Sequence, residues 1–133
     1  MVTMLCVASG VLYHLRNPLE VLELVARRTD RVIVWTHYYD AELIARDPVL
    51  AARFPAAITS YSHGTRYTQH RFEYGDVLSA ATYCGGGAGF SYWLERDDLL
   101  AALPRFGLTD VAVAFEDRDH PNGPSLALTA RRA

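Results

Sequence analysis

Two short apolar runs, TMLCVA at 3–8 and RVIVWT at 31–36, flank one amphipathic segment, with links of only a few residues. This pattern constrains the fold more than any other feature of the chain. Nearly continuous apolar runs are how strands covered on both faces read, and such strands belong to parallel sheets. Parallel neighbours need a crossover, and the segment between them supplies a helix. Asn17 is a suitable cap and Pro18 suits the first helical position. Apolar residues then recur at 19, 21, 22, 24 and 25, leaving Glu20 and Glu23 off that face. Arg27 and Arg28 suit the negative end of the helix dipole, and Thr29-Asp30 make a turn. Strand, helix, strand is the βαβ unit of a doubly wound sheet.

The remainder is read on the same terms. Residues 40–54 hold a helical piece that Pro48 and Pro55 bracket or interrupt. Residues 60–75 partly alternate and fit a hairpin or a substrate-side insertion. CGGGAG at 84–89 is a turn or mobile loop; neither GxxxxGK[ST] nor GxGxxG is present. Acidic residues at 95–98 open a helix through 99–103 that ends near Phe106-Gly107. Residues 110–115 form a strand. DRDHPNG turns the chain, most sharply at Asn122-Gly123, and 125–130 return as an antiparallel strand. The 133 residues amount to one domain or part of one, too few for a two-domain enzyme.

Charge and cysteine content exclude several function classes. All 13 basic residues are arginine against 15 acidic ones, a formal charge of -2, which argues against a general grip on nucleic acid. Without lysine there is no Schiff-base chemistry and no lysine-containing phosphate loop. Cys6 and Cys84 match neither a CxxC nor a zinc pattern, so reduced thiols and a cytoplasmic location are expected. Residues 1–15 contain no Asp, Glu, Arg or Lys, yet no basic region precedes them and they are too short to span a membrane. The expectation is a chain that opens inside a core strand, with no membrane association.

Candidate chemistry concentrates at the ends of the two apolar strands. No metal site is expected: the five histidines form no HExxH, and His63 and His70 stand seven apart in a hairpin. Ser9 with His14 would be a hydrolase pair, but GxSxG is missing. GVLYHLRNP at 10–18 follows a buried strand and precedes a helix, where open α/β sheets bind ligands. Gly10 permits close backbone approach, and Tyr13 and His14 offer a ring face and a titratable nitrogen. The alternative is that Leu12 and Leu15 pack while Tyr13 and His14 cap the sheet. Trp93, in FSYWLERDD, either lines a pocket or packs in the core. Trp35, His37, Tyr38 and Tyr39 end the second strand and fall under the same crevice rule.

The run LCVASGVLYHLRNPLEVLELVARR resembles the fourth strand, loop and helix of class I S-adenosylmethionine-dependent methyltransferases, in the branch with a GVLYHxxxP-like segment. RVIVWTHYY is similar to the fifth strand, SYWLERDDLLAALPRFGLTDVAVAF to the closing helix and sixth strand, and DHPNGPSLALTARR to the return to the seventh. The resemblance implies an α/β fold: the C-terminal part of a doubly wound Rossmann-like sheet, mostly parallel with an antiparallel last strand. Residues 1–133 would be a partial methyltransferase domain, less regular at about 38–92. Its strands would be the family's four, five, seven and six, without the glycine-rich half that holds most of the cofactor.

The implied cofactor is S-adenosyl-L-methionine (SAM), beside Gly10, Val11 and Leu12. Tyr13, His14, His37, Tyr38 and Trp93 would face the substrate, and Arg16 and Arg96 would suit an anionic acceptor. The implied reaction is methyl transfer to a small molecule or a tRNA base, the charge favouring the former. The strand at 3–8 would form a bare sheet edge that invites self-association or a complementary chain. A non-catalytic interaction subunit, or one half of a two-chain enzyme, is the competing reading.

Overall fold

A computed structural model describes residues 4–62, 64–74 and 89–132. Four strands form the main sheet: β1 (Leu5–Ser9), β2 (Arg31–His37), and, from the end of the chain, β6 (Asp110–Asp117) and β7 (Ser125–Arg131). Their order is β1-β2-β7-β6. β1 and β2 are parallel, in register from Leu5↔Arg31 to Ser9↔Trp35. β7 is antiparallel to both β2 and β6. The sheet is therefore mixed by pairing, because the reversed strand sits between two others rather than at an edge.

The crossover is α1 (Pro18–Arg28), with Pro18 at the first turn and Arg27 and Arg28 in the last. Asn17 caps by position only; its side chain donates to Glu20 instead. α1 and the last helix, α4 (Arg96–Arg105), cover one face of the sheet. Leu19, Leu22, Leu99 and Leu103 pack there on Val32, Val34, Leu126 and Leu128. Burying side chains of this kind contributes about 1.5–3 kcal/mol each.

The opposite face carries no helix among the described residues, whereas a doubly wound sheet has helices on both. Leu5, Val7, Ile33 and Phe115 lie there, with 53, 60, 39 and 58% of their surface exposed. β1 pairs with β2 alone among the described strands, so its outer edge is open as well.

Between β2 and α4 the chain builds a second layer. Two short helices come first, α2 (Ala41–Ala45) and α3 (Pro48–Ala51), capped by the Asp40 and Asp47 carboxylates; Pro48 starts the second rather than breaking a longer helix. A hairpin follows, β3 (Ala56–Ser62) and β4 (Thr65–Glu73), in place of the expected 60–75. Phe90–Leu94, expected only as the approach to a helix, is a strand, β5, which completes a sheet of order β3-β4-β5. Tyr92 N–H donates to the Leu15 carbonyl and Tyr39 N–H to that of Leu94. These two bonds tie β5 to the segments that leave β1 and β2. Most of CGGGAG, including Cys84, lies outside the described residues, as does His63. Cys6 is a free thiol. No helix among the described residues is long and apolar enough to cross a membrane.

Candidate functional site

At the carboxyl ends of β1 and β2, aromatic rings from four parts of the chain converge on His37. Tyr13 comes from a short 3-10 turn (Leu12–His14), Trp35 from β2, Trp93 from β5 and His120 from the β6–β7 turn. The His37 ring lies nearly parallel to that of Trp93, 5.2 Å between centroids and 10° between planes. Tyr13, Trp35 and His120 meet it edge-on at 4.5, 5.1 and 4.9 Å. The edge-on contacts place ring hydrogens against ring faces, and the stacked pair lies face to face.

His37 is 5% exposed. Its Nδ1 donates to the Gly123 carbonyl at 2.8 Å, with the Pro124 carbonyl at 3.3 Å. A carbonyl only accepts, so Nδ1 carries the proton and the neutral ring keeps a lone pair on Nε2. Burial pushes its pKa below the usual histidine range, with neighbouring His120 and His14 pushing the same way against the two carbonyl bonds. Gly123 is suited to this clamp for two reasons. Its φ of +123° lies where side chains are rarely found, and a Cβ there would stand 2.8 Å from Trp93 Cη2.

His14 is oriented by a relay. Ser91 Oγ donates to the Tyr13 carbonyl at 2.7 Å, Tyr74 Oη donates to Ser91 Oγ at 3.2 Å, and His14 Nδ1 stands 2.9 Å from Tyr74 Oη. The relay ends on an acceptor, so each hydroxyl donates toward it and His14 Nδ1–H donates into the Tyr74 oxygen. Burial lowers the pKa of His14 too. Tyr13 and His14 rings are 4.2 Å apart.

The other expected residues are distributed differently. Tyr38 is fully buried among the helices, and its hydroxyl donates to Glu116 at 2.6 Å. Arg96 binds the same carboxylate through two nitrogens, at 2.8 and 2.9 Å. Tyr38 and Arg96 thus meet at Glu116, apart from the rings around His37. Burial and the bond to Glu116 push the Tyr38 phenol far up, and the Arg96 contact holds the Glu116 carboxyl down. Arg16 lies over the Phe90 ring, 5.1 Å from its centroid.

Of the three residues expected beside a cofactor, Gly10 is partly exposed, Val11 is 42% exposed and Leu12 is buried at 4% in the main core. Gly10 adopts φ +72° and its N–H donates to the Trp35 carbonyl. A Cβ on it would be 3.7 Å from Tyr13 Oη, an ordinary contact. Within the chain itself the need for glycine is therefore conformational. Ser9 and His14 have no hydrogen bond to one another. His70 donates Nε2–H to Glu95 at 2.8 Å and stacks on Tyr39, 3.5 Å between centroids. Among the described residues no three His, Cys, Asp or Glu stand together as a metal site would need.

His120, Gly123 and the Tyr74–Ser91 pair were not among the candidates. Their placement depends on long-range register: His37 pairs with Ser125, which brings the turn before β7 over the end of β2. The DRDHPNG run signalled a turn but not its neighbours.

No family model matches this chain, and no curated protein matches it. Among solved structures it is similar to the N-terminal domain of EvdMO1 with SAH bound, with a TM-score of 0.66 at 20% identity over 98% of this chain and 46% of that one. A structure of that domain in the presence of SAH and D-fucose gives 0.65 at 20% identity over 98 and 47%. The chain spans about half the length of these structures. At such identity the likeness shows fold: the α/β architecture of a domain that binds SAH.

Proposed function

We propose that this chain serves SAM-dependent methyl transfer, contributing the acceptor side of the site and one wall of the cofactor site. The observation that carries the reading is the ring cluster around His37, set at the carboxyl ends of two parallel strands, where sheets of this kind bind ligands. The fold likeness to an SAH-bound domain supports it, SAH being what SAM becomes after losing its methyl group. The exposed Val11 side chain and the open backbone at Gly10 suit one side of an adenosine-like group. Bound SAM supplies a methyl group on a sulfonium. The protein's own part is to orient the acceptor, exclude water with aromatic walls, and take up a proton where the acceptor loses one.

The remainder of the cofactor site would come from the segment that covers the open sheet face and the free edge of β1. Support for this comes from the exposed Leu5, Val7, Ile33 and Phe115. A glycine-rich half of the fold, in the same polypeptide or another, is the occupant this reading requires. The acceptor is a small molecule rather than nucleic acid, in keeping with the charge of -2. The competing reading is a non-catalytic subunit that uses the same edge to join a partner, in which the His37 cluster has no ligand. Titration of the ¹⁵N-labelled chain with SAH separates them: shifts confined to residues 10–13 and the end of β2 support methyl transfer, and their absence in a folded chain favours the subunit.

A further inference from the structure

The two imidazoles beside Tyr13 have the same hydrogen-bonding polarity, although different parts of the chain impose it. Nδ1–H of His37 is spent on the Gly123 carbonyl, and Nδ1–H of His14 on the relay that ends at the Tyr13 carbonyl. Each neutral ring is left with a hydrogen-free Nε2, and that of His37 has no hydrogen-bond partner among the described residues. A lone pair on His37 set among the rings of Tyr13, Trp35, Trp93 and His120 favours a ligand that brings hydrogen and disfavours one that brings negative charge. The two arginines expected to hold an anion are engaged elsewhere, Arg96 on Glu116 and Arg16 over Phe90, and Arg53 is held by the Glu73 and Tyr74 carbonyls. Burial, which keeps both imidazoles neutral, agrees with this polarity.

We propose that the acceptor is a neutral molecule entering with its own donor, a hydroxyl or amine, and that His37 Nε2 takes the proton this group loses. This rests on the methyl-transfer reading and names its substrate class. In the step, a bond forms between the acceptor heteroatom and the methyl carbon. The carbon–sulfur bond breaks and its electron pair stays on sulfur. The acceptor proton passes to Nε2, giving an imidazolium that the Gly123 and Pro124 carbonyls stabilise at Nδ1–H. Solvent then removes the proton.

The test uses the chain with ¹⁵N-labelled histidine and long-range proton–nitrogen correlation spectra near neutral pH. Three probes of similar ring size are added in turn: phenol, anisole, which has no donor, and benzoate, which is an anion. The proposal expects the Nδ1–H tautomer at His37. It expects phenol to move the His37 Nε2 resonance upfield by several ppm, and anisole and benzoate to leave it in place. Tyr74→Phe removes the acceptor of His14 and should shift His14 toward a mixed tautomer, while His37 still responds to phenol. An Nε2–H or imidazolium His37 would overturn the proposal. So would a response to benzoate or anisole equal to that to phenol, or no response to phenol at its solubility limit. A parallel SAH titration keeps the two readings apart. Phenol response without SAH response strikes the methyl-transfer reading, and SAH response without phenol response strikes this one.

Discussion

Two glycines and two neutral histidines set the geometry at the residue scale, and each carries a prediction. Gly123→Ala should cost about 2 kcal/mol or more, since it combines an unfavourable φ with a Cβ pressed on Trp93. Urea unfolding should show this loss together with a changed Trp93 fluorescence, because the ring must move. Gly10→Ala meets no steric obstacle and should cost only about 1–2 kcal/mol, the usual penalty for a left-handed residue with a side chain. His37 and His14 fold with lowered pKa values, so in the window between folded and unfolded values the unfolded chain binds more protons. Stability is therefore fully present above the unfolded value, near about 6.5, and is lost as pH falls toward the folded values. Urea midpoints measured across that window should decline, and His37→Gln should flatten the His37 share. Adjacent His37 and Tyr38 show what was legible in the sequence. The crevice rule groups both as facing substrate, yet period-two alternation sends neighbouring side chains to opposite faces, and Tyr38 goes to the helices. Alternation could have separated them; the Glu116 partner could not have been foreseen, because it lies 78 positions away.

Elements with local signals were readable, and elements defined by pairing were not. α1 matched its expected start because Pro18, the apolar spacing and the terminal arginines all act within a few residues. β5 was missed because FSYWL becomes a strand only through its register with β4, Gln69↔Leu94 to Glu73↔Phe90. The same dependence on register hid His120 and Gly123. At this scale the β6 carboxylate Glu116 joins β2 to α4 through Tyr38 and Arg96. Its lowered folded pKa contributes stability above the unfolded carboxylate value, lost as pH falls through the folded one. Glu116→Gln should remove that acid-dependent loss, as circular dichroism between about pH 5 and 2 would record. The open edge of β1 should mediate association of the isolated chain. Val7→Glu, at a position 60% exposed, should lower the sedimenting mass while leaving the thermal midpoint nearly unchanged. Unchanged association would move the interface off β1.

Among the described residues the main sheet has one face closed by helices and one open, with an aromatic site at the end where its two parallel strands finish. The βαβ unit and the return strand were legible because they are ordered along the sequence. What local pattern could not show is that the β6–β7 turn completes the site, which depends on β7 lying between β2 and β6, the order the family resemblance implies. The central claim is that Gly10 and Val11 form one wall of a cofactor site beside His37. Its most direct test is an amide-resolved titration of SAH into the folded chain, alone and as Val11→Glu. A single wall should bind weakly, with a Kd of about 1 mM. Saturable shifts are expected at Gly10, Val11 and Tyr13, abolished by Val11→Glu and left intact by His37→Gln. Amides at 10–13 unmoved at saturating SAH, or the same shifts with glutamate at position 11, would contradict it.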